Sequence, residues 1–414
     1  MTSTSDARAA GTATSVHDVA VVGAGPSGLA MAIALARSGL FTVLIAPDVT
    51  AEDDRTTALL DSSVEMLKSL DLWERILPHA APLAHMRIID GTERLFRAPE
   101  TVFDASELKL EAFGYNIRNR DLNRILGEAA SGTEGLTRIH ARFEGLEAGA
   151  DCTRLDLETG EHVCVRLVVG ADGRNSPVRD AVGIDTKTWR YPQAALIVNL
   201  DHDLPHRFHS TEFHTPTGPF TLVPLSGRGS SLVCVERPEV AQELAAMDDD
   251  TLALELERRA RSVYGKMRID GARQVYPLGG LTATRMGARR AALVGEAAHV
   301  FPPIGAQGLN LGLRDVAALV EIVVSARDRG EDIGSDEVLG RYERQRRADI
   351  TSRTTAVDLL NRSLLTDMLP VQALRSIGLY LASRVAPLRR MLMREGIAPV
   401  LARPKLMRGL TLGR

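Results

Sequence analysis

The sequence predicts an α/β fold, and three short stretches of the chain carry that prediction. In each stretch an apolar run that can form a buried strand ends in a glycine-containing turn. The turns lie around Gly23, Asp172 and Glu296, and a helix pattern follows the first and the third. Because ligands bind beyond the carboxyl ends of strands in α/β sheets, the three turns favour a shared ligand site over three unrelated turns.

The first turn has the spacing of a dinucleotide-binding loop. It follows the apolar run Val19–Val22 and precedes a helix-forming stretch that ends at Arg37. Gly23, Gly25 and Gly28 stand in G-x-G-x-x-G register: the first permits a tight turn, the second lets a pyrophosphate reach the backbone, and the third lets helix and strand pack closely. The N-terminus of the helix also favours the phosphate charge. The sequence therefore predicts a Rossmann-like domain that binds a dinucleotide.

The second strand of this unit departs from the usual pattern at its end. An acidic residue normally closes that strand and binds the ribose of the adenosine. Here Ala46 stands at that point, and Asp48 follows two residues later. Asp48 either takes the ribose hydroxyl groups or is a solvated loop acid, and the sequence favours the two roles equally.

The stretch from Arg290 to Asp315 predicts a strand, a turn and a helix. The strand Ala291–Val294 would bring the carboxylate of Glu296 to the carboxyl end of the sheet. Prolines stiffen the turn that follows, and glycines allow a ligand to approach its backbone. These residues are Pro302, Pro303, Gly305 and Gly308. We expect a polar ligand at the start of this helix; the alternative is an ordinary buried strand-turn-helix.

Size and charge restrict the classes of function. A chain of 414 residues is long enough for two domains, or for one large domain with insertions. Its 50 basic and 53 acidic residues give a formal net charge of −3, which offers no global electrostatic case for nucleic-acid binding. From Arg384 onward, seven Arg and one Lys stand against a single acid, Glu395, so the tail is locally basic.

The cysteines and the start of the chain suggest a protein of the cytoplasm. Cys152, Cys164 and Cys234 are odd in number and widely spaced, so we expect three separate thiols in a reducing compartment and no metal site. Residues 1–15 are small and polar, which predicts a disordered lead-in rather than a signal peptide. The longest apolar run, Val19 to Ala36, is interrupted by Gly-Ala-Gly-Pro and cannot form an uninterrupted membrane span.

The three turns together resemble the motifs of the class A flavoprotein monooxygenases, the para-hydroxybenzoate hydroxylase-like enzymes. The G-x-G-x-x-G, the D-G segment and a G-E-A-A-H segment, where that family has G-D-A-A-H, occur in the family's order and spacing over nearly the whole chain. Within the family the chain looks most similar to the ubiquinone-biosynthesis ring hydroxylases. The stretches that carry this likeness are residues 55–74, 114–126, 191–200, 213–226 and 301–315.

The resemblance implies that the dinucleotide is FAD, and it assigns residues to the cofactor. Arg55 would lie beside the flavin and the pyrophosphate, and Asn119 stands where many relatives use an arginine. Glu296 occupies the place of the family's aspartate, whose carboxylate binds the ribitol hydroxyl groups. The complete set of implied cofactor-binding residues is Gly23, Gly25, Pro26, Ser27, Gly28, Asp48, Arg55, Asn119, Asp172, Gly173, Glu296, Pro303, Gly305, Gln307, Gly308, Leu309 and Asn310.

The resemblance also implies the chemistry. NAD(P)H would reduce FAD, dioxygen would form a C4a-hydroperoxide, and its distal oxygen would pass to an electron-rich ring. The turn Ile304–Leu309 would present N–H groups to the flavin N1–C2 carbonyl and stabilise the reduced flavin. His299 is either a proton carrier or a structural histidine, and we favour the structural role because the sequence provides no catalytic geometry. No catalytic residue is assigned.

Strand and helix patterns divide the chain into interleaved regions. β-rich runs between the nucleotide motifs suggest a sheet that covers the substrate side, and the C-terminal region has a helical pattern. The basic, apolar tail is either a contact for a membrane or partner, or a helix docked on the core. The expected regions are an FAD domain (residues 16–75, 112–184 and 286–335), a substrate domain (84–111 and 186–285) and a helical region (336–414).

We therefore expect an NAD(P)H- and FAD-dependent monooxygenase that uses dioxygen to hydroxylate the ring of a polyprenylated phenol in ubiquinone biosynthesis. A prenyl tail needs an apolar tunnel and a supply route, so we expect a cytoplasmic protein with a peripheral contact at the inner membrane surface or with a biosynthetic complex. The alternatives are a hydroxylase of another aromatic compound, a flavin reductase of isoprenoids and a flavin-binding assembly subunit without turnover.

Overall fold

The computed structural model describes residues 17–48, 53–92, 99–302, 305–365, 385–397 and 403–410. The expected lead-in at residues 1–15, the residues Pro303 and Ile304, and much of the tail lie outside these ranges.

Along the described chain, runs of up to four strands are separated by one or two α-helices. In chain order, the strands are β1 (His17–Val22), β2 (Thr42–Ile45), β3 (Thr56–Leu60), β4 (Ala80–Pro82), β5 (His85–Asp90), β6 (Thr101–Asp104), β7 (Gly114–Arg118), β8 (Leu136–Ile139), β9 (Phe143–Ala148), β10 (Thr153–Leu157), β11 (His162–Gly170), β12 (Thr186–His202), β13 (His209–Thr215), β14 (Gly218–Pro224), β15 (Gly229–Glu236), β16 (Met267–Ala283), β17 (Gly287–Ala288), β18 (Ala291–Leu293) and β19 (His299–Val300). The helices are α1 (Pro26–Arg37), α2 (Asp61–Ser69), α3 (Trp73–Ile76), α4 (Asn119–Ser131), α5 (Pro177–Ala181), α6 (Pro238–Ala246), α7 (Asp249–Arg259), α8 (Gln307–Asp328), α9 (Asp336–Leu365) and α10 (Ala386–Ile397), with short 3₁₀ helices at Leu77–His79, Ala105–Leu108, Gly295–Ala297 and Lys405–Arg408.

The glycine-rich turn belongs to a sheet whose centre is parallel. Its main path runs β17-β18-β11-β1-β2-β8, and β10 and β9 extend it beside β11. β11 pairs in parallel with β1 and with β18, so that Val22, Gly170 and Leu293 lie side by side at the ends of three neighbouring strands. The three turns singled out in the sequence therefore leave the same carboxyl edge of one sheet. We call this sheet the nucleotide sheet.

A second sheet runs β19-β16-β12-β15-β14-β13-β5-β6 and contains the β-rich runs expected on the substrate side. Every pair in it is antiparallel except β13 with β5. Alternate side chains of a strand point to opposite faces, and the set that includes Leu196, Phe213, Phe220 and Leu232 packs against leucines of α6 and α7. The opposite face is left to line a cavity. This second sheet is called the substrate sheet below.

A small third sheet has the strand order β3-β7-β4. In the sequence, its strands occur between strands of the other two sheets. The buried side chains form separate clusters around the nucleotide sheet and around the substrate sheet. This separation agrees with the idea of two domains, and the exact boundaries given above stay predictions.

The C-terminal helix α10 is docked on the protein. Arg389 donates from Nε and Nη2 to the carboxylate of Glu107, and Met393 packs with Phe103 and Phe113. Of the two alternatives for the tail, a helix docked on the core is therefore the one that describes this face of α10. Within the ranges given above, no helix combines the length and the apolar character that crossing a membrane requires.

The expectation of three separate thiols was wrong for two of the cysteines. Cys152 and Cys164 form a disulfide, with their Cα atoms 6.0 Å apart, whereas Cys234 is free and buried. Cys152 directly precedes β10 and Cys164 lies in β11 opposite Arg154, so the antiparallel hairpin brings the two cysteines close together. Because two of the three cysteines are paired, the cysteines no longer indicate a reducing compartment.

Helices α8 and α9 are joined by buried charges. Asp315 of α8 accepts a hydrogen bond from Nε of Arg346 at 2.7 Å, and both side chains are buried. Asp349 of α9 accepts from Nη1 of Arg346 at 2.6 Å and from Nε of Arg353 at 3.1 Å, with Arg314 at 3.3 Å. Burial alone would raise the pKa of Asp349, but the attraction of Arg346 and Arg314 lowers that pKa to about 2.

This lowered pKa predicts a stability change at acid pH. A carboxyl group whose pKa falls on folding stabilises the protein above its unfolded pKa, and the contribution is lost as the pH falls through the folded pKa. For Asp349 we expect a contribution of about 2 kcal/mol above roughly pH 4, lost towards pH 2. Urea unfolding of the parent and of Asp349→Asn should therefore show a free-energy difference that shrinks as the pH falls. A difference independent of pH would contradict the assignment.

Candidate functional site

The glycine-rich turn leaves one open position between two crowded ones. A Cβ atom on Gly23, whose φ is +107°, would lie 2.4 Å from the carbonyl oxygen of Ala171, and one on Gly28 would lie 1.9 Å from the carbonyl oxygen of Gly23. A Cβ atom on Gly25 would have no atom within 4 Å. Gly23 and Gly28 are therefore required by close packing, whereas Gly25 faces open space into which a ligand can approach.

The N-terminus of α1 begins at this open position. Gly25 is its N-cap and Pro26 its first residue, and no side chain caps its free N–H groups. Ser27 is half-buried where α1 passes α8, and a Cβ atom on Gly312 would lie 2.6 Å from its hydroxyl oxygen. An uncapped helix N-terminus beside an open glycine fits the pyrophosphate of a dinucleotide.

The second turn contains a carboxylate with an unused oxygen. Oδ2 of Asp172 accepts a hydrogen bond from the backbone N–H of Val178 at 2.9 Å, whereas Oδ1 is buried and has no partner among the described residues. Burial raises the pKa of Asp172 despite its hydrogen bonds to Ser176 and Val178. Gly173 follows with φ +82°. Because buried polar atoms are normally paired, the unused oxygen fits a hydroxyl group of a bound ligand.

In the 3₁₀ helix Gly295–Ala297, with which the third turn begins, Glu296 is the exposed residue. Its neighbours Gly295, Ala297 and Ala298 are buried, and Gly295 has φ +59° at the start of the 3₁₀ helix. The backbone N–H of Gly295 donates to Oδ2 of Asp315 at 3.0 Å. The turn is thus held from below by α8 and directs a single carboxylate outwards.

The same buried aspartate holds His299. Nε2 of His299 lies 2.6 Å from Oδ2 of Asp315, and neither side chain is exposed to solvent. Burial would raise the pKa of Asp315, but the charges of His299 and Arg346 and their hydrogen bonds lower it. His299 does not line the cavity described below. The geometry favours the structural role for His299 over that of a proton carrier.

Asp53, which the sequence reasoning missed, brings Arg55 and Asn119 together. Its carboxylate accepts from Nε and Nη2 of Arg55, both at 2.7 Å, and from Nδ2 of Asn119 at 2.9 Å. Burial would raise the pKa of Asp53, but the hydrogen bonds from Arg55 and Asn119 lower it. The hydrogen bond to Asp53 raises the pKa of Arg55, and the charge of Glu296 adds to the effect, so these two predicted ligands lie near each other. In the sequence, the signal that could have pointed to Asp53 is its position two residues before Arg55.

The turn before α8 adopts a backbone conformation that leaves the helix N-terminus open. Gly305 and Ala306 have φ +67° and +54°, and no side chain caps α8. Gln307 donates to the carbonyl of Gly305 at 3.0 Å and accepts from Nη1 of Arg353 at 2.8 Å. A Cβ atom on Gly308 would meet nothing within 4 Å. The geometry suits the expected stabilisation of a negative flavin edge by N–H groups.

Asn310 has a structural role that the sequence did not reveal. Its Oδ1 accepts from the backbone N–H of Leu60 and from the hydroxyl of Ser63, and its Nδ2 donates to the carbonyls of Ala58 and Ala306. These four hydrogen bonds use the full capacity of the amide. Any contact of Asn310 with a cofactor would therefore come from its backbone.

Asp48 remains apart from the other predicted ligands. Its carboxylate lies 2.6 Å from Nδ1 of His140, and its side chain is 73% exposed. The exposure leaves room for a ribose, and its role as a cofactor ligand stays a prediction.

The turn at Glu296 and the start of α8, together called the flavin-side turns below, border a cavity of about 500 Å³ with the substrate sheet. From the nucleotide side it is bounded by Glu296 and by the start of α8, including Gly308 and Leu309. Most of the remaining wall is apolar. The wall away from the nucleotide side comes from the substrate sheet, from α10 and from residues in or next to the third sheet. It is formed by Leu83, Met86, Phe103, Phe113, Asn116, Ser210, Glu212, Pro219, Thr221, Val223, Val233 and Met393.

The exposed position of Glu296 leads to a prediction on FAD affinity. Glu296→Ala should bind FAD roughly ten- to a hundredfold more weakly, since a hydrogen bond to a charged group contributes about 1.5–3 kcal/mol. Glu296→Gln should be intermediate, and Glu296→Asp should bind if the turn moves inward to recover the lost reach. Titration of FAD into the apoproteins measures the effect. Equal dissociation constants for the parent and Glu296→Ala would exclude the carboxylate as a ligand.

The Asp53 contacts lead to a second prediction. Asp53→Ala should weaken FAD binding about tenfold, because Arg55 and Asn119 lose the hydrogen bonds that orient them. Asp54→Ala is the matched control, since Asp54 pairs instead with Arg120 at 2.7 Å. Titration with FAD should separate the two variants, and equal losses in both would argue against a specific role for Asp53.

Comparison with known proteins agrees with this geometry. A family model described as "FAD binding domain" matches residues 16–356. The ubiquinone hydroxylase UbiL of Rhodospirillum rubrum is 34% identical over 412 residues, covering 97% of this chain and 95% of the relative. The 3-demethoxyubiquinol 3-hydroxylase of Escherichia coli is 32% identical over 388 residues, covering 92% and 98%.

Solved structures show the same fold at lower identity. The p-nitrophenol 4-monooxygenase PnpA of Pseudomonas putida superposes with a TM-score of 0.77 at 18% identity, covering 94% of this chain and 99% of the other. HpxO of Klebsiella pneumoniae, solved in complex with FAD, gives 0.73 at 18% identity, covering 92% and 98%. Since the family model spans most of the sequence and two relatives exceed 30% identity over nearly their whole length, this chain belongs to the FAD-binding-domain family of flavoprotein monooxygenases that includes the ubiquinone hydroxylases.

Proposed function

We propose that this protein is an FAD-dependent monooxygenase that hydroxylates the aromatic ring of a polyprenylated phenol in ubiquinone biosynthesis, with NAD(P)H as reductant and dioxygen as co-substrate. The observation that carries the proposal is the cavity between the flavin-side turns and the substrate sheet. The names of the relatives, ubiquinone hydroxylase and 3-demethoxyubiquinol 3-hydroxylase, support the substrate class.

The chain's own residues hold the cofactor. FAD, once reduced, supplies the activation of dioxygen for transfer of one oxygen atom to a ring. The open backbone at Gly25 and the N-terminus of α1 receive its pyrophosphate, and Glu296 accepts hydrogen bonds from its ribitol. The free N–H groups at the start of α8 stabilise negative charge on the flavin.

The charges of the cavity favour a neutral phenol as substrate. Among the described residues that line it, the only charged side chains are the acids Glu212 and Glu296. A small phenolic acid would bring its own carboxylate into this space without a cation to pair with, which costs free energy. The apolar wall formed by Met86, Phe103 and Val233 suits a prenylated ring instead. This argues against the alternative of a hydroxylase for small phenolic acids.

Product analysis tests the function. Purified protein with FAD and NAD(P)H should add one oxygen atom from isotopically labelled dioxygen to a short-chain prenylphenol, with faster NAD(P)H oxidation when that phenol is present. Small phenolic acids should react much more slowly. A product without added oxygen would indicate an isoprenoid reductase, and absence of any stimulated oxidation would indicate a flavin-binding subunit without turnover.

We further propose that the outer face of α10 is the peripheral contact with a membrane surface. Its exposed residues Pro387, Arg390, Met391 and Arg394 recur at helical spacing and combine apolar with basic groups. The opposite side of the helix carries Met393, which faces the cavity. A helix with one side on the membrane and the other on the substrate cavity would shorten the route of a prenyl tail.

Charge removal on α10 tests this contact. The double variant Arg390→Ser with Arg394→Ser should bind anionic vesicles at least tenfold more weakly, since a basic residue near such a surface contributes about 1 kcal/mol. Arg408→Ser, an exposed arginine of the tail outside α10, is the matched control and should bind normally. FAD content should be equal in all proteins. Vesicle binding unaffected by the double change would refute the contact.

A further inference from the structure

Glu212 is the acid that the substrate sheet places on the cavity wall. It lies in β13 opposite Thr221 of β14 and Ile88 of β5, on the face away from α6 and α7. Its side chain is 30% exposed and lines the same cavity as Glu296 and Leu309. Neither the family motifs nor the flavin-side turns assign it a role.

Two neighbours orient the Glu212 carboxylate. Oε1 lies 2.8 Å from Nε2 of His214, and Oε2 accepts from the hydroxyl of Thr221 at 3.3 Å. A carboxylate offers about four lone-pair sites, so these two contacts leave acceptor capacity on both oxygens. The side chain is thus held in place and can still accept a hydrogen bond from a ligand in the cavity.

Among the described residues that line the cavity, none is a cation that could pair with Glu212. Its near neighbours on the wall include Met86, Phe103 and Val233. The titratable groups on this face of the adjoining strands are His214 on its own strand and Asp90 on β5, which pairs in register with His214. Glu296 lies on the opposite wall. Because His214 and Thr221 use only part of the acceptor capacity of the carboxylate, an O–H group of a ligand in the cavity can donate to a remaining lone pair of Glu212.

We propose that Glu212 accepts the hydroxyl proton of the phenolic substrate while oxygen is transferred to its ring. This inference rests on the proposed function. As a ring π pair forms the new C–O bond, the O–O bond of the activated dioxygen breaks and its electron pair stays on the second oxygen atom. At the same time the phenolic O–H bond breaks, its electron pair moves towards the ring to form the carbonyl, and the proton passes to Glu212. The dienone then regains its aromatic character: the ring C–H proton leaves to solvent, and Glu212 returns its proton to the carbonyl oxygen. The second oxygen atom of dioxygen leaves as water, with NAD(P)H as the electron donor.

The competing interpretation is that Glu212 and His214 form a structural pair. A structural pair would affect folding or FAD content, but it would not distinguish a phenol from its methyl ether. A proton acceptor would distinguish the phenol from its methyl ether, because the ether has no hydroxyl proton to donate. The difference in affinity between the two ligands is therefore the measurement that separates the interpretations.

The experiment compares the holoenzyme with Glu212→Gln, Glu212→Asp and the surface control Glu144→Gln. The parent should bind a short-chain prenylphenol about tenfold or more tightly than its methyl ether, and Glu212→Gln should lose most of this preference. The turnover number of Glu212→Gln should fall at least about a hundredfold with normal FAD content, as expected for loss of a general base, and Glu212→Asp should recover part of it. Glu144→Gln should behave as the parent.

Each contrary result has a defined meaning. Turnover and phenol preference unchanged in Glu212→Gln would overturn the proton-acceptor role. Loss of FAD or of folding in Glu212→Gln, with full turnover in Glu212→Asp and no phenol preference in the parent, would favour the structural pair and overturn the role as well. A parent that adds no oxygen to any phenol would overturn the proposed function itself. If the parent is active and only the predictions for the Glu212 variants fail, the proposed function still holds.

Discussion

The parallel register of β11 between β1 and β18 is the constraint on which the site depends. It aligns Val22, Gly170 and Leu293, so the three turns that follow leave the sheet at one edge. The contact is close enough that Gly23 and Gly28 tolerate no Cβ atom. A shift of one strand by a single residue would exchange the faces of its side chains and separate the turns. The cofactor site is therefore a property of the sheet more than of any single motif.

A second constraint comes from the buried charges beneath the third turn. The carboxylate of Asp315 is hydrogen-bonded to the backbone N–H of Gly295, the imidazole ring of His299 and the guanidinium group of Arg346. The chain of charges continues through Asp349 to Arg353, whose guanidinium holds Gln307 at the start of α8. A desolvated carboxylate is stable only while all its partners are in place, so this network holds the turn in one conformation. Glu296 and the N-terminus of α8 are thereby fixed relative to each other.

The substrate sheet forms the other side of the cavity because successive side chains along a strand point to opposite faces of the sheet. Side chains such as Phe213 and Leu232 point to α6 and α7, and their neighbours Glu212 and Val233 point to the cavity. Helix α10 completes the wall with Met393, and the pair Arg389–Glu107 holds that helix in place. A part of the chain outside all nucleotide motifs thus bounds the space in which the substrate ring would lie.

The sequence by itself determined the α/β class and the dinucleotide loop, because these depend on local spacing: successive glycines two and three residues apart, and apolar runs that end in turns. The family followed from the resemblance of several such motifs, taken in their order along the chain. It also indicated the β-rich substrate side and the long helix at 336–365. Each single motif lies within a few dozen residues, and its recognition needs no knowledge of contacts between distant residues.

Contacts between distant residues were decided only by the tertiary structure. Asp53 binds both Arg55 and Asn119, and Asn119 lies 66 residues further along the chain than Asp53. Asn310 joins α8 to β3 through a hydrogen bond to Leu60, which is 250 residues away. The Cys152–Cys164 disulfide, wrongly expected to be two free thiols, depends on a hairpin whose pairing the cysteine spacing does not encode. Glu212 is an ordinary strand residue until the fold turns its face towards the flavin-side turns. Spacing along a chain specifies local backbone geometry, whereas the partner of a side chain depends on how sheets and helices pack, and that is settled only when the whole chain folds.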